Sequence, residues 1–225
     1  MGALDPNDEL IDQALAYLEA GRPVGDDPAQ REHLWTHYVE FETMWPVGCH
    51  LFLARDDLPR FFEWLFNNLT AAIHQDWKVG MEARDGVPSC APGDGERWQA
   101  IRKMFVNERG GYDGSEQSLF LLQAIPQSWL KPGDRLSLKQ MPTCFGGKIN
   151  LDVAVARDGN SVRVVVEMTG LAVKPAEVRM RLRSGDGRPL TSAEINRVKA
   201  EVLDGDVIRL PVSTAGKYEI TGKFR

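Results

Sequence analysis

Apolar residues recur at helical spacing through the first half of the chain and alternate at strand spacing from about Ser118 onward. The change of period predicts two structural regimes in one polypeptide. In the first, Leu10, Ile11, Ala14, Leu15 and Leu18 share a helical face behind Asp5-Pro6-Asn7-Asp8, which offers an N-cap, a first-turn proline and first-turn acids. Gly21 stops that helix. A polar loop from Arg22 to Gln30 leads to a second face, Leu34, Tyr38, Phe41 and Trp45, which Pro46 ends or kinks. After a short apolar stretch, Val47 to Ala54, the capping sequence Asp56-Asp57-Leu58-Pro59 precedes Phe61, Phe62, Leu65, Phe66, Leu69 and Ile73, the strongest helix signal in the chain. Periodicity lapses from His74 to Gly95 and resumes from Glu96 to Asn107, with Gly110-Gly111 as a stop.

In the second regime the predicted strands are Leu119 to Ile125, Arg135 to Lys139, Ile149 to Ala156, Val162 to Met168, Val178 to Arg183, Val207 to Leu210 and Lys217 to Phe224. Asp158-Gly159, Asp186-Gly187 and Asp204-Gly205 supply turns between several of them. Glu194 to Leu203 fits either helix or strand. Many short strands divided by such turns predict a β-sandwich. The fold class expected is α+β, with antiparallel helical hairpins over residues 1–117 and an antiparallel β-sandwich over 118–225.

A net charge of −5 with no basic tail argues against a general nucleic-acid binder, and no apolar run is long enough to span a bilayer. The acidic N-terminus lacks the features of a secretory signal. No nucleic-acid or membrane partner is expected. Cys49, Cys90 and Cys144 are too widely spaced for a zinc motif and odd in number. His33 and His37 stand four apart, but Leu34 follows His33 where the zinc-protease motif needs glutamate, so neither metal nor cofactor is expected.

At Leu122-Gln123-Ala124-Ile125-Pro126-Gln127-Ser128-Trp129-Leu130 the chain resembles the exit from the helical barrel of six-hairpin, or (α/α)6, glycosidases into their C-terminal β-domain. Pro142-Thr143-Cys144-Phe145-Gly146-Gly147 is similar to that family's next turn, and Val178-Arg179-Met180-Arg181-Leu182-Arg183 with Asp186-Gly187-Arg188-Pro189-Leu190 to a later strand and turn. The resemblance implies that residues 1–117 are the last hairpins of a partial (α/α)6 toroid. It also implies that the chain is the C-terminal part of a larger enzyme, completed by an upstream region, a partner subunit or another copy of itself.

Glycoside hydrolysis needs two carboxyl groups about the scissile bond. The resemblance implies one on an early hairpin, upstream of this sequence, and one near the last, where the loop carries Asp76, Glu82 and Asp85. Glu82 is the general-base candidate, lying between Trp77 and Trp98, whose indoles are of the kind that stack on sugar faces. Asp76, Trp77, Trp98, Glu42 and Trp45 are the substrate-binding candidates, against the competing reading of solvated acids and core aromatics. Arg179, Arg181 and Arg183 share a strand face that should be exposed. The expected function is therefore part of a glycosidase-like protein that acts on or binds carbohydrate. The alternative is a non-catalytic carbohydrate-binding or assembly module that docks through its helical face.

Overall fold

Strand alternation is clearest where Ile149, Leu151, Val153 and Val155 face one side of a strand, and Val162, Val164, Val166 and Met168 the same side of its neighbour. A computed structural model describes residues 5–20, 22–24, 27–32, 47–71, 91–110, 117–211 and 215–225. The chain divides into two compact units, Met1–Arg102 and Lys103–Arg225.

The first unit contains α1 (Glu9–Ala20), β1 (Arg22–Val24), β2 (Asp27–Glu32), α2 (Val47–Arg55), α3 (Leu58–Ala71) and most of α4 (Ala91–Phe105). Asp57 caps α3, its carboxylate accepting the Arg60 backbone N–H at 3.3 Å. Helices α2 and α3 bury Cys49, Phe52, Leu53, Leu58, Phe61 and Leu65, and the Phe52 ring meets Trp64 edge-on at 5.4 Å between centroids. Arg55 joins α2 to α1 through Asp12 at 2.6 Å.

These elements overturn the expected partial (α/α)6 barrel. Among the described residues there are four α-helices, and most of the remaining structure is strand. An antiparallel pair, β1 with β2, stands where a polar loop was expected, so α1 is not followed directly by an antiparallel helical partner. Helical periodicity identifies an amphipathic helix but does not say what packs on it. The helix expected from Leu34 to Trp45 lies outside the described residues. Helix α4 also departs from expectation at both ends. It starts at Ala91, with Pro92 in its first turn where proline is tolerated, and stops at Phe105 without reaching the glycines. Val106 then enters a strand because its backbone pairs with Leu121.

The second unit holds β3 (Val106–Arg109), β4 (Ser118–Leu121), a 3₁₀ turn at Gln127–Trp129, β5 (Arg135–Pro142), β6 (Lys148–Val155), β7 (Ser161–Thr169) and β8 (Glu177–Arg181). It continues with β9 (Leu190–Ile195), β10 (Val198–Ala200), β11 (Val202–Leu203), β12 (Val207–Leu210) and β13 (Gly216–Phe224). One sheet runs β10-β9-β13-β7-β6-β5, antiparallel throughout, and the other β11-β12-β8-β4-β3. In the second sheet β4 pairs with β8 in parallel, which corrects the expectation of a purely antiparallel sandwich. The two strands are more than fifty residues apart in sequence, so no hairpin dictates their direction. The ambiguous segment near residue 194 is strand. Asn196 and Arg197, at φ 51° and 67°, close a two-residue hairpin between Ile195 and Val198.

The inner faces of the two sheets share one core. Gly222 on β13 lies so close to Leu182, which follows β8, and to Val162 on β7 that a Cβ would come within 3.1 and 3.4 Å of them. The outer face of the six-stranded sheet is a solvated charge ladder, with Lys139 on Asp152 and Arg163 on Glu219.

Candidate functional site

Helix α4 buries Ala100 and Met104 but inverts the usual amphipathic pattern at two positions. Arg97 is 3% exposed whereas the next residue, Trp98, is 69% exposed. The buried guanidinium is held by charge and geometry, donating from Nε to Asn68 Oδ1 on α3 at 2.9 Å and from Nη1 to Asp94 Oδ1 at 3.2 Å. The residue just before Arg97, Glu96, meets His50 Nε2 of α2 at 3.1 Å. Helix α4 is thus pinned to α2 and α3 by polar contacts, with a large apolar ring on its open side. Arg97 must face inward to reach Asn68, and a neighbour one position on is rotated about 100° around the helix, which turns Trp98 outward.

Of the residues singled out for substrate binding, Trp98 is the one the described structure places, and it is on the surface. Asp76, Trp77, Glu82, Glu42 and Trp45 lie outside the described residues. Among the other aromatic residues, Trp129 sits on the 3₁₀ turn of the second unit and is 38% exposed, its ring 6.4 Å from Phe105. Among the described residues no group of three or more His, Cys, Asp or Glu is placed to hold a metal ion, and no helix is long and apolar enough to cross a membrane. Burial pushes the Cys49 thiol up to about 12, which leaves it protonated and unreactive at neutral pH.

The arginines of β8 depart from the expected solvated row. Arg181 has a side chain only 5% exposed, with Nε on Asp206 Oδ1 at 2.9 Å, Nη1 on the Gln123 carbonyl at 3.0 Å and the guanidinium 5.4 Å over the Phe120 ring. Arg183 takes the other oxygen of Asp206 at 3.1 Å. Arg179 and Arg209 share Glu177 at 2.7 and 2.8 Å. Burial pushes the Glu177 carboxyl up, but these two guanidinia outweigh it and hold it below the usual carboxylate range. Buried Asn107 and Gln123 complete the polar layer with a 2.7 Å amide contact. Sequence alternation placed Arg179 and Arg181 on one face correctly. The partners of Arg181, Asp206 and Gln123, lie 25 and 58 residues away in sequence and carried no local signal.

Between the sheets a recess lined by Leu122, Ile125, Leu130, Leu136, Val153 and Val164 has a volume of about 10 Å³, room for one water. It is too small to be a ligand pocket. No family model matches the sequence, and no curated protein matches it. A solved structure named a glycoside hydrolase is similar to this chain with a TM-score of 0.35 and 14% identity, over 89% of this chain and 37% of that one. The chain therefore spans little more than a third of that protein's length. A likeness at this level carries no argument about fold or activity.

Proposed function

We propose that the chain is a carbohydrate-recognising part of a larger glycoside hydrolase-like protein and that it does not complete a hydrolytic site by itself. The observation that supports this reading is the inversion on α4, where a buried, fully engaged guanidinium turns an indole out to solvent. An indole face packs well on the C–H face of a sugar ring, while polar neighbours take the hydroxyls. In this reading Trp98 and Trp77 stack on the sugar, and Asp76, Glu42 and Trp45 flank it. Glu82 is the general base, and the proton donor comes from outside this sequence.

The test uses the intact chain and hexasaccharides of glucose, xylose, mannose and N-acetylglucosamine. Calorimetry should find one that binds, with affinity about tenfold weaker in Trp98→Ala, and chromatography should find no cleavage product. Failure of every saccharide to bind would overturn the carbohydrate reading. Cleavage abolished by Glu82→Gln would overturn the claim that the site is incomplete.

A further inference from the structure

Three turns meet at one end of the sandwich, and each is fixed to the others. The first runs from Gln127 to Gly133 and presents Trp129. The second is Arg157–Asn160 between β6 and β7, and the third is Ser184–Arg188 ahead of β9. Arg188 joins the last two, donating from Nη1 to Asn160 Oδ1 at 2.7 Å and from Nη2 to the Gly159 carbonyl at 2.8 Å, while its Nε holds Asp186 Oδ2 at 2.7 Å. Pro132 in the first turn closes on the second, so that a Cβ at Gly159 would lie 3.2 Å from its ring. The first and third turns are in backbone contact: a Cβ at Gly185 would overlap the Leu130 carbonyl oxygen. The Gln127 side-chain amide lies against Gly187, 3.6 Å from where its Cβ would be.

The Asp186 and Asn160 side chains are therefore set before any ligand arrives. Asp186 has a side chain 58% exposed, Asn160 and Gln127 are exposed, and Trp129 is 38% exposed on the same cluster of turns. Asn160 is itself oriented by Asp158, which accepts from its backbone N–H at 3.0 Å and from Nδ2 at 3.1 Å. Arg188 uses Nε and both terminal nitrogens to hold the turns, which makes it a positioning residue. An exposed indole carried on the same cluster of turns as an exposed carboxylate and two exposed primary amides matches a saccharide, whose rings pair an apolar face with vicinal hydroxyls that donate and accept. Pre-set polar groups also lower the ordering cost of binding a weakly held ligand.

We propose that this end of the sandwich is a saccharide-binding surface, with Trp129 stacking on a sugar ring and Asp186, Asn160 and Gln127 taking its hydroxyls. The proposal rests on the carbohydrate reading above and adds a contact surface in the Lys103–Arg225 unit that the α4 site does not require. The experiment titrates the same four hexasaccharides into the intact chain, Trp129→Ala, Asp186→Asn and Trp98→Ala, and follows the tryptophan indole N–H resonances of the unaltered chain. The expected result is a saturable shift of the Trp129 indole resonance in the parent and in Trp98→Ala, weakened several-fold in Asp186→Asn at unchanged melting temperature, and one binding event fewer in Trp129→Ala. The indole resonance decides the matter even where Trp129→Ala folds poorly. A saccharide that binds, loses affinity in Trp98→Ala and leaves the Trp129 resonance unmoved would overturn this surface while leaving the carbohydrate reading standing. Absence of binding by all four would overturn both.

Discussion

Replacing Arg181 by methionine isolates the buried charge layer on the outer face of the five-stranded sheet, since methionine keeps most of the apolar stem and removes the guanidinium. The substitution takes away the 2.9 Å contact to Asp206, the 3.0 Å donation to the Gln123 carbonyl and the cation over Phe120. Removing one partner of a buried ion pair costs about 3–5 kcal/mol, because the remaining charge is left desolvated. Here Asp206 keeps Arg183 at 3.1 Å and is 26% exposed, which places the loss at the lower end, about 3 kcal/mol. Urea unfolding of the Lys103–Arg225 unit should show this as a midpoint lower by ~1.5 M for a slope of ~2 kcal/mol/M. Arg209→Met is the matched control, on the same face but with a side chain 56% exposed, and should cost less than about 1 kcal/mol. If Arg181→Met also costs less than about 1 kcal/mol, the guanidinium is not part of the fold's stability and the reasoning fails.

Three further outcomes follow from the same structure. Gly147→Ala should destabilise the second unit by about 3 kcal/mol in thermal or urea melts, since Gly147 holds φ +64° and a Cβ there would overlap the Thr169 carbonyl; a neutral result would show that the β5–β6 turn can relax. Gly95→Ala should stabilise α4 by about 0.5 to 1 kcal/mol, measured as slower amide exchange, because the site is exposed, helical and free of neighbours within 4 Å. Glu177 has its folded pKa depressed below the ordinary 4.5, so its contribution is present above 4.5 and lost as pH falls through the lower folded value. Melting temperatures of the parent and Glu177→Gln should therefore converge on acidification below 4.5, and a difference constant down to acid unfolding would refute the assignment.

Much of the sandwich was legible from local pattern. The strands β6, β7 and β13 alternate buried and more exposed positions, and a period of two fixes which side chains face the core whatever the neighbouring strand is. The Asp57 cap on α3 was equally plain, because capping chemistry is contained within four residues. Pairing was not legible. The strand β3 runs directly on from a helix because Val106 finds Leu121, and the parallel pairing of β4 with β8 joins Phe120 to Arg179 across more than fifty residues. No local propensity encodes such partners.

The candidate sites divide along the same line. Trp98 could be marked as an aromatic worth weighing, but its exposure depends on Arg97 reaching Asn68 on another helix. Alternation alone predicts a solvated Arg181, and only the approach of Asp206, Gln123 and Phe120 makes its burial tolerable. Two of the three turns about Trp129 were visible as the Asp-Gly signals Asp158-Gly159 and Asp186-Gly187. Their convergence, and the single guanidinium of Arg188 that spans two of them, arises from the stacking of the two sheets. Residue type and spacing thus set the elements and their buried faces through short-range sterics and hydration. Which charges are desolvated, and which polar groups stand together, depends on contacts between segments remote in sequence, and those exist only once the chain has folded.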